Sequence, residues 1–271
     1  MIRSFFRVYY KKYSIKGGND MKYIESNQNA LVKYWKKLAT TRKERDKSGE
    51  FLVEGYHLVE EALKHTEVQH LIISEGAEIP ASWNLDDIFL IEVSEPIAKE
   101  LAETEHTQGI FAQCKQKEAD ESAKASWTKL LLIDAVQDPG NVGTMIRTAD
   151  AAGFDAVVLG KGSADPYNPK TVRATQGSIF HIPVLRGDLL DMIDELKDLG
   201  VTVYGTALED SITYSEVEKA NKCALVMGNE GSGLSKEVLA QTDVNLLIPI
   251  KGQAESLNVA VAAGVLMYSF V

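Results

Sequence analysis

Five aliphatic runs in the second half of the chain restrict its fold more than any other feature. They are "LLLIDAV" (130–136), "AVVLG" (156–160), "VTVYGTA" (201–207), "CALVMGN" (223–229) and "VNLLIPI" (244–250). None has the regular polar alternation of a strand with one wet face. Each therefore predicts a strand covered on both sides, as in a parallel sheet. Helical patterns separate them at 142–152, 169–177, 188–199, 234–241 and 256–270. Such alternation specifies a doubly wound α/β domain.

The front half reads as a smaller α/β unit. Leu31, Tyr34, Trp35 and Leu38 recur at helical spacing from Asn29 to Lys43. Strands follow at 49–55, 68–74, 88–93 and 109–115, with helices at 56–64 and 95–103. The stretch 116–126 is polar and reads as a linker. Residues 1–20 are basic and aromatic and end in Gly17-Gly18-Asn19-Asp20. They lack a signal peptide's apolar centre and read as a disordered extension before a start at Met21. The expected domains are thus 21–118 and 127–271.

Charge is distributed unevenly. Residues 1–50 carry 13 Lys+Arg against 5 Asp+Glu, which leaves 16 and 34 for the rest of a chain of net charge -10. A basic front on an acidic body suits phosphate contact through one part of the surface, and equally a solvated basic helix. Cys114 and Cys223 lie far apart and form no metal-ligand pair; so few cysteines suit a reducing cytoplasm. No apolar run reaches the roughly 18–20 residues of a membrane span, so no membrane partner and no metal are expected.

In open parallel sheets, ligands bind beyond the carboxyl ends of the strands. After 130–136 comes "QDPGNVGTMIRTADAAGF", where Asp138-Pro139-Gly140 reads as a turn, Asn141 as a helix cap, and Gly153 as the helix end. Arg147, in the second turn, suits gripping a phosphate or carboxylate, or pairing with Asp150 on the surface. After 223–227 comes "GNEGSGLS", with Glu230 among three glycines that let the backbone pass close to something flat; Ser232 or Ser235 can cap the next helix. The Walker spacing and its Lys are missing. After 244–250, Ser256 is placed to cap the last helix, a role that leaves Asn258 unexplained among aliphatics. Free amides at that helix start suit a ligand. "GTALEDS" (205–211) adds Thr206 and Ala207 at the same edge. A Rossmann dehydrogenase is disfavoured, because "DPGNVG" is not G-x-G-x-x-G and the second strand ends in Leu159-Gly160-Lys161 without an acid.

"NVGTMIRTADAAGF", "LVMGNEGSGLS" and "IPIKGQAESLNVAVAAGVLMYSF" resemble, in order and spacing, the three motifs of the SpoU (TrmH) family of RNA ribose 2′-O-methyltransferases. "FLVEGYHLVEEAL" more loosely resembles the small ribosomal-protein-like RNA-binding domain that many members carry in front. The resemblance implies a SPOUT-type parallel-sheet domain with a C-terminal trefoil knot, a homodimer, and loops at 206–208, 228–232 and 248–258 folded around S-adenosylmethionine. It places Arg147, Asn141, Glu230, Ser256 and Asn258 in the catalytic centre. It assigns Thr206, Ala207, Gly228, Asn229, Gly231, Ile248, Ile250 and Leu257 to cofactor binding. The implied substrate is a ribose 2′-hydroxyl in structured RNA, ribosomal or transfer.

In the family the first-motif Arg is the proposed general base, which gives Arg147 that role. A guanidinium with a pKa above about 12 is almost never neutral. Arg147 is therefore expected to bind the neighbouring phosphate and stabilise the developing alkoxide, with Asn141 and Ser256 orienting it. The basic residues of 29–47 are expected to carry RNA. The rival is a non-catalytic RNA-binding or ribosome-assembly protein, which has no need of polar residues at the strand ends.

Overall fold

The computed structural model describes residues 21–117 and 121–271. The expectation for residues 1–20, and part of the linker reading, lie outside these. The chain divides into two compact units that part between Lys115 and Gln116.

The first unit is built on a five-stranded sheet: β1 (Lys22–Ile24), β2 (Glu50–Glu54), β3 (Val68–Ser74), β4 (Phe89–Val93) and β5 (Ile110–Lys115), in the order β1-β4-β3-β5-β2. β4 runs parallel to β1 and β3, while β5 runs antiparallel to β3 and β2. Three-residue β1 is too short to give a pattern in the sequence. The helices are α1 (Ala30–Thr40), α2 (Arg42–Ser48), α3 (Tyr56–His65) and α4 (Glu95–Leu101).

The single helix expected from Asn29 to Lys43 is two helices, because Thr41 adopts extended angles between them. Asn29 caps α1, its Oδ1 accepting the Leu31 amide at 2.9 Å. Val32, Trp35 and Leu38 bury one face of α1 against Leu52, Ile72, Ile91 and Phe111. Arg45 is only 2% exposed and donates to the carbonyls of Leu38 and Ala39. It satisfies the orphaned end of α1, so one of the cations expected on the RNA side is structural.

The second unit holds seven strands in the order β10-β12-β9-β11-β6-β7-β8, every neighbouring pair parallel. They are β6 (Lys129–Ile133), β7 (Ala156–Leu159), β8 (Val184–Arg186), β9 (Thr202–Thr206), β10 (Ile212–Thr213), β11 (Cys223–Met227) and β12 (Val244–Leu247). The five expected strands are present; β8 and β10 are too short for a periodic signal. Helices α5 (Pro139–Ala151), α6 (Pro169–Thr175), α7 (Leu189–Asp198), α8 (Lys236–Ala240) and α9 (Val259–Ser269) complete the unit.

Both faces of this sheet are covered, as the aliphatic runs require. Leu131, Ile133, Leu225 and Met227 join a core with Val142, Met145 and Ile146 of α5 and Ala263, Leu266 and Met267 of α9. On the other face Leu130, Leu132, Val203 and Val226 meet Ile193 and Leu196 of α7 and Val238 of α8. Each such fully buried aliphatic side chain contributes about 1.5–3 kcal/mol relative to exposure. Gly143 makes the contact of α5 with α6 possible: a Cβ there would meet the Thr171 carbonyl oxygen at 2.5 Å.

Candidate active site

Since the strands are parallel and β12, β9, β11 and β6 are neighbours, their carboxyl ends share one edge of the sheet. The segments after them are the four singled out in the sequence: Ala207 onward, 228–235, 248–258 and 134–141.

The segment 134–141 leads into α5. Asp138, not Asn141, is the cap: its Oδ1 accepts the Asn141 amide at 3.0 Å, and Pro139 opens the helix. The Asp-Pro pair carries this signal, since Pro favours the first helical position and Asp the position before it. Released from capping, the Asn141 side chain turns to the site. Its Nδ2 donates to Glu230 Oε1 at 3.1 Å, and its Oδ1 accepts from Asn258 Nδ2 at 3.0 Å.

Asn258 in turn caps α9, its Oδ1 accepting the amides of Ala260 (2.9 Å) and Val261 (3.3 Å). This corrects three expectations. The last helix starts at Val259, Asn258 rather than Ser256 is its cap, and two of its leading amides are already taken. The result is one directed row, Glu230–Asn141–Asn258–α9, tying together segments about 90–120 residues apart in sequence. The row also fixes which way both amide groups point.

Glu230 accepts further bonds from the main-chain N–H of Gln137 (3.3 Å) and Asp138 (3.2 Å), and from Asn229 Nδ2 (3.4 Å). Burial pushes its carboxyl up. The bonds from Asn141 and from the amides of Glu230 itself, Asp138 and Gln137 outweigh that and hold it below the usual carboxylate range. Asp138 is also held low, first by Lys170 Nζ on α6 at 3.0 Å, then by the Asn141 amide. Both carboxylates therefore stay ionised at neutral pH.

The glycine loop differs from its expectation. Gly228 is needed because the loop returns on itself: a Cβ would meet the Gly233 carbonyl carbon at 2.3 Å. Asn229 and Gly233 close that loop through two main-chain bonds. Asn229 Oδ1 accepts the amides of Gly231 and Ser232, and its Nδ2 donates to the Ala135 carbonyl at 2.8 Å. Ala135 sits at φ 55, a left-handed angle that costs a non-glycine residue about 1 kcal/mol or more. Strain at this edge is thus held by a residue of the neighbouring loop. Ser235 occupies the cap position of α8 without a side-chain cap bond; instead its amide donates to buried Asp134 at 2.7 Å.

Arg147 is exposed on α5. Among the described residues it has no hydrogen-bond or ion-pair partner, and Asp150, its expected surface partner, lies 3.2 Å from His181 instead. Ser256 is exposed and likewise makes no side-chain bond among the described residues. Of the five expected catalytic residues, then, three are bonded together and two are not. The expected cofactor positions follow the ends of three strands. Thr206 Oγ1 donates to the Val226 carbonyl at 3.3 Å, and the Ala207 amide donates to the Leu246 carbonyl at 3.3 Å, locking β9 to β11 and β12. Ile248 is half-buried, whereas Ile250 and Leu257 are 38% and 39% exposed at the same edge. Asp134 and Lys170 were missed, as was the pairing of Lys170 with Asp138, which spans 32 residues and leaves no local pattern.

A parallel sheet with four loops and a solvent-facing polar row at its carboxyl edge defines an α/β protein that takes its ligand there. Residues 129–268 match the SpoU rRNA Methylase family model, and residues 29–112 match the MRM3-like substrate binding domain. The chain belongs to the SpoU rRNA methylase family and is a methyltransferase. It is 53% identical to the 23S rRNA (guanosine(2553)-2'-O)-methyltransferase RlmP of Bacillus subtilis, over 92% of this chain and 98% of that one. It is 34% identical to a TrmH family tRNA/rRNA methyltransferase of Staphylococcus saprophyticus, over 81% and 94%. An AdoMet-bound rRNA methyltransferase of Sinorhizobium meliloti superposes with a TM-score of 0.83 at 32% identity, covering 92% and 97%. The SpoU methyltransferase AviRb of Streptomyces viridochromogenes, in complex with AdoMet, gives 0.78 at 27%, covering 89% and 97%.

Proposed function

We propose that this protein transfers a methyl group from S-adenosylmethionine to the 2′-hydroxyl of a guanosine in 23S ribosomal RNA. The bonded row Glu230–Asn141–Asn258 carries the reading, since it joins one polar residue from each of the three motif segments. The identity to RlmP across nearly the whole chain supports the substrate. Residues 21–118 would bind RNA and 127–271 would carry out the transfer, a division that the two family matches support.

The edge of the sheet suits the cofactor. Exposed Ile250 and Leu257 offer apolar surface for a flat base, and the loop backbones at 228–231 and 248–250 offer polar groups beside it. Bound there, S-adenosylmethionine supplies an electrophilic methyl carbon on a cationic sulfur. The protein's own work is positioning and charge. Arg147, exposed and without a partner among the described residues, binds the phosphate next to the target ribose and stabilises the negative charge that builds on O2′ as its proton passes to water. Glu230 fixes Asn141, and Asn141 fixes Asn258, so the polar row is set before RNA arrives. Ser256, exposed just ahead of the row, orients the ribose.

The reading includes a cytoplasmic homodimer with a knotted C-terminus. Val261, Tyr268 and Val271 are 54%, 56% and 71% exposed on or just after α9, apolar area that a second copy would cover. No described helix is long and apolar enough to cross a membrane. Incubating the protein with labelled S-adenosylmethionine and 23S rRNA from cells lacking the gene, then mapping 2′-O-methylation, tests the function. One new methylated guanosine is expected. Binding of RNA without S-adenosylmethionine affinity by calorimetry would favour the non-catalytic rival.

A further inference from the structure

We infer that Phe89 is a stacking platform for an unpaired base of the substrate RNA. The inference rests on the RNA-methyltransferase reading and adds a residue to its recognition surface.

Phe89 opens β4, yet it is 59% exposed, while Leu90, Ile91 and Val93 behind it are buried. In the sheet register Phe89 pairs with His70, His70 with Gln113, and Gln113 with Leu52, so the four form a row across one face. The Phe89 and His70 rings lie 5.9 Å apart, and His70 meets Trp35 of α1 edge-on at 6.0 Å. Gln113 anchors this ladder. It is 3% exposed, and its Oε1 receives Trp35 Nε1 at 2.7 Å and lies 3.0 Å from His70 Nδ1. Its Nε2 donates to Glu50 Oε2 at 2.7 Å and Gln69 Oε1 at 2.8 Å. An exposed ring is thus backed by a second ring whose orientation a buried amide sets. A lone surface Phe has no need of such support.

The surroundings favour a base over other occupants. α1, which carries Trp35, lies over this face of the sheet, and α2 leads straight into Glu50 at the start of β2. Lys33, Lys43 and Lys47 on these helices are exposed and, among the described residues, without an ion-pair partner. From β2 to β4 is three strand spacings, about 14 Å, a few nucleotides of single-stranded RNA. Asp86 and Asp87, exposed just before Phe89, repel phosphate, which leaves the uncharged base as the moiety that fits there. Base–aromatic stacking is insensitive to salt, unlike phosphate contact.

The test measures binding of the full-length protein to a transcribed 23S rRNA fragment over a salt series, for the wild type and Phe89→Ala, Phe89→Leu and Phe89→Tyr. Phe89→Ala and Phe89→Leu are expected to weaken binding about 5- to 150-fold with an unchanged salt slope. Phe89→Tyr should bind like the wild type, and S-adenosylmethionine affinity should not move. Wild-type binding by Phe89→Ala, or rescue by Phe89→Leu, overturns the platform. As a check independent of folding, photo-crosslinking of a halogenated-base RNA to the wild type should label the peptide containing Phe89, and labelling only elsewhere overturns it. A wild type that methylates 23S rRNA while either check fails sinks only the platform. A wild type that neither binds nor methylates it sinks the parent reading.

Discussion

The two units place their polar networks oppositely. In the first, Gln113, Trp35, Glu50 and Tyr34 bond one another against the sheet under α1, with Gln113 almost fully buried. In the second, apolar side chains fill both faces of the sheet, and Glu230, Asn141 and Asn258 stand at its open edge. A buried network that is fully satisfied specifies structure. An exposed one at a strand-end edge gains little stability and is placed for chemistry. Breaking the first should cost folding and, through the Phe89 ladder, RNA binding, while sparing the cofactor site; breaking the second should cost the transfer step and little stability.

Arg147→Ala is the sharpest test of that contrast. An unpartnered exposed side chain carries almost no stability, so the melting midpoint should move by the equivalent of less than about 0.5 kcal/mol. Methyl transfer should fall by about 10²–10³-fold, as for loss of a main electrostatic donor, with S-adenosylmethionine affinity unchanged in calorimetry. Retained turnover removes Arg147 from the mechanism.

Gln113→Leu should show the opposite pattern. It strands Trp35 Nε1 beneath α1, and an unsatisfied buried group costs about 1–3 kcal/mol. Denaturant unfolding should lose that much, while S-adenosylmethionine affinity stays at the wild-type value. An equal loss of cofactor affinity would show that the two networks are not separable.

Asn258→Ala falls between. As the cap of α9 its removal should cost about 1 kcal/mol, and as the end of the polar row it should slow transfer about tenfold, near the value of one lost hydrogen bond. Asn258→Asp keeps the cap acceptor but loses the donor to Asn141. It should restore stability without restoring rate, which separates the two roles of one residue.

Much of this was legible in the sequence, for reasons that differ by element. The aliphatic runs of β6, β7, β9, β11 and β12 announce burial on two faces, since only a parallel sheet covered by helices makes that pattern necessary. Glu230, Asn141 and Asn258 stood out as polar residues at strand ends. Their mutual bonds did not, because they join positions 89 and 117 residues apart. The cap at Asp138 was written in Asp-Pro but read as a turn, and that displaced Asn141 into the wrong role. Gln113 gave no signal, since one amide in "FAQCK" looks like any strand's wet face. Gly228 reads in the sequence as room for something flat; the close return of its own loop, which also requires a glycine there, leaves no local signal.

The smallest expected effect probes the outer end of the first network. Tyr34 OH donates to Glu50 Oε2 at 2.6 Å, and burial together with that bond pushes its phenol from 10.0 up to about 12. A folded-state value above the unfolded one stabilises the fold fully below the unfolded value. That contribution is lost as pH rises from about 10 through about 12. Burial also pushes up the phenols of Tyr23 and Tyr167, so alkaline titration followed by tyrosinate absorbance should show Tyr34 as one of several tyrosines ionising late. Tyr34→Phe should diminish that late step, lower stability near neutral pH by about 1 kcal/mol for the lost bond, and flatten the fall in stability between those two values. Methyl transfer at neutral pH should be unchanged, because losing the Tyr34 hydroxyl leaves the Gln113 contacts to Trp35 and His70 in place. An undiminished late absorbance step after the substitution would move the assignment to another phenol, and a loss of turnover would erase the distinction between the two networks.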